Sequence, residues 1–149
     1  MKTALVTGGT RGIGLSTAQK FIEQGWNVYI TSRKQENLDA VLSENPQLKG
    51  FVARADDLAA ATETCISVID ETGSLDVLVN NAGTNPSGGS LLDVELSAVQ
   101  KTWDVNLMGP LMWTREAVKA GLKESVLNVC SVGGIRPSQY MGAYNISKA

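Results

Sequence analysis

The chain has 149 residues, 43% of them hydrophobic, and a net charge of −2, which predicts one domain spanning residues 1–149 with a buried core. This slight acidity argues against binding to nucleic acid or to an anionic membrane, and the lack of a long apolar run or a signal-peptide pattern predicts a cytoplasmic location. The sequence contains no histidine, which excludes Ser-His-Asp hydrolysis and histidine-ligated zinc, so we expect no metal site.

Five apolar, β-rich runs alternate with helical patterns along the chain. The runs are residues 4–7, 28–31, 51–53, 75–80 and 126–131. The helical patterns begin near Gly12, Gln35, Leu58, Ser97 and Gly142. Nearly continuous apolar strands alternating with helices are typical of an α/β fold, in which helices cover both faces of a parallel sheet. Right-handed crossovers then predict a doubly wound sheet with a ligand crevice at its switch point.

The first strand runs into a glycine-rich turn, TGGTRGIG, at residues 7–14. Such a turn at the start of a helix lets main-chain N–H groups approach a pyrophosphate. The spacing departs from the Gly-x-Gly-x-x-Gly fingerprint, so a glycine turn without a ligand is the alternative. We predict that this turn binds a dinucleotide through Gly8, Thr10, Arg11, Gly12, Ile13 and Gly14.

The end of the second strand predicts which nicotinamide dinucleotide is bound. An acidic residue there would bind the ribose 2′-hydroxyl of NAD, but the chain reads Thr31-Ser32-Arg33. Together with Arg11, Arg33 could clamp a 2′-phosphate through forked, charge-assisted hydrogen bonds. NADP is therefore favoured over NAD, and the alternative is a pair of solvated surface arginines.

Tyr144 and Lys148 are four residues apart, which places them on one face of the last predicted helix. A cation beside a phenol favours the phenolate, so Tyr144 could exchange a proton with a carbonyl or alcohol oxygen. Ser131 could be a second donor to that oxygen. The alternative is an ordinary pair of surface side chains on a helix.

The glycine turn, Asn80-Asn81-Ala82-Gly83, Asn106, Ser131 and the Tyr144/Lys148 pair occur in the order typical of one family. Over its whole length the sequence resembles the short-chain dehydrogenase/reductase family. The resemblance implies a Rossmann-like fold with five of the usual seven strands present. It also implies an NADP-dependent oxidoreductase that transfers hydride between nicotinamide and a small carbonyl or secondary alcohol substrate.

The same resemblance implies a role for each residue of the site. Ser131 would orient the substrate carbonyl, and Tyr144 would be the general acid/base. Lys148 would bind the nicotinamide ribose and favour the ionised form of Tyr144, while Asn106 would hold a water that links Lys148 to solvent. Three small or polar residues at the end of the fourth strand, Asn81, Ala82 and Gly83, would contact the cofactor, as would Tyr144 and Lys148.

The resemblance leaves two alignments at the adenine, where the family usually has an acidic or amide residue after the third strand. An ungapped alignment places Arg54 and Ala55 there and makes Asp57 the N-cap of a helix over residues 58–72. A gapped alignment would place Asp57 and Leu58 at the adenine. We favour Arg54 and Ala55, because the helix then keeps its usual length.

Pro110 lies four residues after Asn106 and has no N–H. A helix running through both residues would leave the Asn106 carbonyl without its helical donor and free to hold a water. A simple helix kink is the alternative.

The family normally continues beyond Lys148, so the resemblance implies the N-terminal part of a longer protein, which we expect to be a homo-oligomer. The helix near Gly142 should then be frayed, and the strand at residues 126–131 should be an exposed edge. A catalytically impaired nucleotide-binding fragment or sensor module is therefore the alternative function, and an isomerase or epimerase is less favoured. Cys65 and Cys130 are predicted to be buried, reduced thiols, and the polar loop at residues 84–90 is predicted to border the substrate site.

Overall fold

The computed structural model describes residues 1–149 and contains one sheet of five parallel strands. In chain order the strands are β1 (Thr3–Val6), β2 (Asn27–Ser32), β3 (Leu48–Val52), β4 (Val77–Asn80) and β5 (Ser125–Asn128). Their spatial order is β3-β2-β1-β4-β5, and every neighbouring pair is parallel. The chain reverses direction of travel across the sheet between β3 and β4, so the predicted doubly wound α/β fold is confirmed.

Six α-helices cover the two faces of this sheet. They are α1 (Gly12–Glu23), α2 (Gln35–Glu44), α3 (Leu58–Thr72), α4 (Leu96–Trp103), α5 (Gly109–Ala120) and α6 (Gly142–Ser147). A π-helical turn, Asp104–Met108, joins α4 to α5, and a 3₁₀ turn, Val132–Gly134, follows β5. None of these helices is both long and apolar enough to cross a bilayer.

The central strands divide the apolar side chains between two cores, because successive residues of a strand point to opposite faces. Leu5 of β1 lies in one core with Trp113 of α5 and residues of α3. Its neighbour Val6 lies in the other core, which packs against α1 and α2. Both leucine and valine are fully buried, so β1 is held from both sides.

Helix α3 begins at its predicted N-cap. The Asp57 carboxylate accepts a hydrogen bond from the main-chain N–H of Ala60 at 3.1 Å, and the helix ends at Gly73 in a left-handed conformation with φ of 79°. A carboxylate at the N-terminus and a left-handed glycine at the C-terminus are both typical helix ends. Asp57 is therefore engaged in starting the helix.

The end of β5 differs from the prediction. The strand stops at Asn128, so Cys130 and Ser131 lie beyond it, at the edge of the sheet. Cys130 is exposed, and its predicted burial is wrong because the residue lies beyond the end of β5, where it lines an open cavity. Cys65 is buried on α3 as predicted, and both thiols are free.

Candidate active site

A cavity of about 620 Å³ lies at the carboxyl ends of β1, β2 and β4, next to the glycine turn. Most of the predicted cofactor residues line it: Gly8, Thr10, Arg11, Gly12, Ile13, Arg33, Arg54, Ala55, Asn81, Ala82 and Gly83. Three predicted contacts, Gly14, Tyr144 and Lys148, do not line this cavity. The carboxyl edge of a doubly wound sheet is where ligands bind in folds of this kind.

Glycines give the turn its shape in two different ways. Gly8 and Gly12 have φ of 64° and 53°, in the left-handed region that side chains disfavour. Gly14 instead allows close packing, since a Cβ there would lie 2.4 Å from Asn81 Nδ2 and 2.5 Å from the Gly8 carbonyl oxygen. Gly14 therefore packs against Asn81 and the Gly8 carbonyl, and its predicted contact with a cofactor stays a prediction.

A threonine and an asparagine fasten the turn to the sheet. Thr7 Oγ1 accepts hydrogen bonds from the main-chain N–H groups of Asn81 and Ala82, at 3.0 and 3.1 Å. In return Asn81 Nδ2 donates to the carbonyl oxygens of Thr7 and Gly8, both at 3.0 Å. The role of Thr7 was not predicted from the sequence. The available signal was a polar residue at the carboxyl end of each of two strands.

Arg11 and Arg33 are exposed at the rim of the cavity, and neither takes part in an ion pair. Thr31 brings the two segments together, because its Oγ1 accepts from Gly8 N at 3.2 Å and its carbonyl accepts from Gly9 N at 3.1 Å. Two unpaired guanidinium groups beside one cavity provide a site for an anion.

Asp56 forms a charged cluster in the same cavity, and this cluster was not predicted from the sequence. Arg54 donates two hydrogen bonds to its carboxylate, at 3.1 and 3.0 Å, and Lys101 donates a third. Partial burial opposes ionisation of Asp56, but the hydrogen bonds from Lys101 and Arg54 outweigh it and lower the carboxyl pKa to about 2. Asp57 and Leu58, the alternative adenine residues, do not line the cavity.

A second cavity, of about 410 Å³, contains the predicted proton-transfer pair. It is lined by Tyr144 and Lys148 of the α6 segment, together with Val129, Cys130 and Met141. It shares the wall formed by Ile13, Asn81, Gly83, Thr84 and Asn85 with the first cavity. The two cavities therefore meet. Thr84 and Asn85, which belong to the predicted substrate loop, lie at the junction between them.

The Lys148 ammonium is anchored to the end of the sheet. Its Nζ donates to the Val129 carbonyl oxygen at 3.0 Å. A Cβ placed on Gly83 would be 3.7 Å from the same Nζ, so Lys148 lies close to the end of β4. This places the cation in the second cavity, beside Gly83 of the wall that the two cavities share.

Asn106 holds α6 and the end of β4 together through its side chain. Its Nδ2 donates to the Thr84 carbonyl at 2.8 Å and to Ser147 Oγ at 3.0 Å, and its Oδ1 accepts from Thr84 N at 2.8 Å. The residue is buried within the π-helical turn, two residues before that turn meets α5. A π-helical turn is often found at functional sites, and the sequence had predicted either a free Asn106 carbonyl or a simple helix kink here.

Ser131 is the one predicted catalytic residue that neither lines a cavity nor is buried beside one, as Asn106 is. It caps the 3₁₀ turn, and its Oγ accepts from Gly133 N at 3.1 Å. It lines neither cavity, although its neighbour Cys130 lines the second. The structure therefore brings Tyr144 and Lys148 together and places Ser131 at the margin of their cavity.

Comparison with known proteins assigns the chain to one family. The model of a family described as short chain dehydrogenase matches residues 2–149. Dehydrogenase/reductase SDR family member 4 from Pongo abelii is 35% identical over 99% of this chain, and its human counterpart is 34% identical. Tropinone reductase-like 3 from Erythroxylum coca is 30% identical over 99% of the chain. The chain spans 55% to 59% of the length of these relatives.

Solved structures agree with this assignment. A variant of actinorhodin polyketide ketoreductase with NADPH is 29% identical and superposes with a TM-score of 0.94 over 99% of this chain and 59% of its own. ElxO with NADP bound is 27% identical, with a TM-score of 0.92 over 99% of this chain and 62% of its own. Since the family model spans all but the first residue and the fold agrees, the chain belongs to the short-chain dehydrogenase/reductase family.

Proposed function

We propose that this chain carries the cofactor site and the proton-transfer residues of an NADP-dependent oxidoreductase that interconverts a carbonyl compound and a secondary alcohol. The observation that supports this most is the meeting of two cavities along one wall, with Tyr144 and Lys148 on the second. Nicotinamide, when bound, supplies or accepts the hydride. The first cavity then holds the dinucleotide, and the second holds the small-molecule substrate.

In this proposal Tyr144 moves the proton. Its phenol donates a proton to the substrate oxygen during reduction and takes one from the alcohol during oxidation. Lys148 carries a positive charge four residues along the same segment, and the Val129 carbonyl oxygen accepts a hydrogen bond from that ammonium and holds it in place. The Ser131 hydroxyl orients the substrate oxygen, and Asn106 holds the helix that carries Tyr144.

The first cavity fits a dinucleotide. Gly8 and Gly12, both in the left-handed conformation, line the cavity. A pyrophosphate bound there would accept hydrogen bonds from main-chain N–H groups of the turn. Arg11 and Arg33, unpaired at the rim, would bind a 2′-phosphate. Arg54, Ala55 and the segment 81–83 complete the proposed cofactor site, and the two arginines are the reason to propose NADP over NAD.

The cofactor preference can be tested by titrating the 149-residue chain with NADPH and NADH and following nicotinamide fluorescence. We expect Arg33→Ala to weaken NADPH binding by about tenfold or more and to change NADH binding little, since a lost charge-assisted hydrogen bond costs about 1.5–3 kcal/mol. Lys34→Ala is the matched control, because Lys34 is the neighbouring exposed cation and pairs with Glu36. An equal loss for both nucleotides would contradict the assignment of Arg33.

Turnover is tested with three substrate classes: acetoacetyl-CoA as a 3-oxoacyl thioester, acetophenone as an aromatic ketone, and sorbitol with NADP⁺. We expect Tyr144→Phe to abolish turnover while NADPH affinity stays within about twofold, since phenylalanine keeps the packing and loses only the acid. Turnover that survives in Tyr144→Phe would remove Tyr144 from the chemistry.

A nucleotide-binding module without turnover is the second candidate function. It is favoured by the position of Ser131, which lines neither cavity. Saturable NADPH binding with no turnover on any of the three substrate classes would support it.

We further propose that the longer family protein is a cytoplasmic homo-oligomer. Leu107, Leu111 and Val118 are exposed along the outer side of the π-helical turn and α5, and this row of apolar side chains supports a subunit interface there.

A further inference from the structure

The segment between Ser131 and Tyr144 must fix the distance between two predicted catalytic residues, although it contains little regular structure. After the 3₁₀ turn Val132–Gly134 it has no helix or strand until α6 begins at Gly142. Tyr140, just before that helix, has φ of 63° and is the only non-glycine residue in the left-handed region. Main-chain hydrogen bonds hold its end, from Gly89 N to the Tyr140 carbonyl oxygen at 2.9 Å and from Met141 N to the Ser138 carbonyl oxygen at 3.3 Å. A side-chain contact can restrict the segment further.

Asn145, the residue after Tyr144, provides such a contact. Only 6% of it is exposed, and its Nδ2 donates to the Ser138 carbonyl oxygen at 3.0 Å. This hydrogen bond ties the middle of the segment to the helix that carries Tyr144. The Oδ1 atom of the same amide is buried and has no hydrogen-bond partner.

The unpaired Oδ1 atom of Asn145 faces the turn that carries Ser131. A Cβ added to Gly133 would lie 2.6 Å from Asn145 Oδ1 and 3.4 Å from Ser131 Oγ. The Asn145 amide oxygen and the Ser131 hydroxyl thus both border the space that Gly133 leaves open. Ser131 Oγ accepts from Gly133 N, which fixes the hydroxyl on the same turn.

A buried acceptor without a partner lowers stability, so an apolar residue would suit this position better if packing were its only role. The amide instead contacts the segment at two points, at Gly133 in the 3₁₀ turn and at Ser138 in the part that has no helix or strand. Two contacts at a single side chain restrict both the distance and the orientation of the serine turn relative to α6.

We infer that Asn145 is a positioning residue that fixes the position of Ser131 relative to Tyr144. It does so by holding the Ser138 carbonyl and the Gly133 turn against α6, the helix that carries Tyr144. The inference rests on the proposed reductase function and concerns a residue that touches neither cavity. Misplacing reacting groups by about 1 Å can lower a rate by about a hundredfold, so loss of this brace should act on the chemical step.

The test measures kcat and the KM for NADPH with whichever of acetoacetyl-CoA and acetophenone the 149-residue chain reduces. We expect Asn145→Ala to lower kcat by about tenfold or more while the KM for NADPH stays within about twofold. Gly133→Ala should likewise lower kcat and leave the KM for NADPH unchanged, because its methyl group would enter the space occupied by Asn145 Oδ1. A loss through unfolding alone would instead reduce the active fraction, seen as parallel loss of NADPH-binding sites in a fluorescence titration.

The double variant Gly133→Ala/Asn145→Ala is the matched control. If the two residues act through their contact, adding Gly133→Ala to Asn145→Ala should cost little further activity. Fully additive effects of the two substitutions, or a kcat unchanged in both single variants, would overturn the inference while leaving the proposed function intact. Absence of turnover on every substrate class in the unmodified chain would overturn the proposed function, and the inference with it.

Discussion

Asn106 makes all three of its side-chain hydrogen bonds to other parts of its own chain, although the family resemblance implies that it belongs to the catalytic group. The polar residues of the site thus divide into two kinds. Tyr144, Lys148 and Arg33 line a cavity and are available to ligands. Asn106 and Thr7 are buried and hold the segments on which those residues stand. Substitution of a buried residue such as Asn106 or Thr7 should therefore act by displacing the residues that line the cavities.

At the residue scale, Asp56 gives a prediction about pH. Its carboxyl pKa is lowered from 3.8 to about 2 in the folded chain, so its ion pairs stabilise the fold above about pH 4 and this stability is lost as pH falls toward 2. We expect Asp56→Asn to lower the free energy of unfolding at neutral pH by about 2 kcal/mol and to flatten its pH dependence between about pH 4 and 2.

Urea unfolding followed by circular dichroism at a series of pH values measures this effect. Asp70→Asn is the control, because Asp70 is an exposed carboxylate outside every ion pair. An equal loss of pH dependence in both variants would mean that the Arg54 and Lys101 contacts contribute nothing specific.

At the scale of elements, the glycine turn depends on how closely α1 approaches β4. We expect Gly14→Ala to lower the free energy of unfolding by about 1–3 kcal/mol, because the added methyl group would overlap Asn81 and the Gly8 carbonyl. NADPH affinity should fall as well, since the same atoms hold the turn that lines the cavity. Thermal unfolding and nicotinamide fluorescence measure the two effects. Ser16→Ala, on the exposed face of the same helix, should change neither.

The α4–α5 connection is a second case in which one element sets the site. Pro110 has no N–H to donate, and the helix contains a π-helical turn around Asn106 just before it. Trp113 on α5 then donates from Nε1 to the Ala55 carbonyl at 3.2 Å, at the wall of the first cavity. One helical unit therefore contacts both the proposed adenine end of the site and, through Asn106, the helix of Tyr144.

At the scale of the whole molecule, stability and cofactor binding depend on the same central strands. Leu5 of β1 is fully buried in the core shared with α3 and α5, and we expect Leu5→Ala to lower the free energy of unfolding by about 2–5 kcal/mol. The cavity spans the ends of β1, β2 and β4. NADPH at about 100 times its Kd should therefore raise the free energy of unfolding of the Leu5→Ala variant by about 2.7 kcal/mol. Urea unfolding with and without NADPH measures both. A variant that loses stability but is not stabilised by NADPH would show that the cavity has been distorted as well.

The sequence by itself determined the fold class, the approximate strands and helices and the residues around the glycine turn. It could do so because apolar periodicity, glycine spacing and motif order are local properties of the chain. It also identified Tyr144 and Lys148 as neighbours, since four residues along a helix fix their relation.

Only the tertiary structure decided how these parts are held. The Asp56–Lys101 and Asn106–Ser147 hydrogen bonds join residues 45 and 41 positions apart, and no local pattern reports such pairs. The exposure of Cys130 depends on its place at the sheet edge, and the inward position of Gly14 depends on Asn81 packing against it. Burial and hydrogen-bond partners arise from segments distant in sequence, so they are properties of the packed molecule.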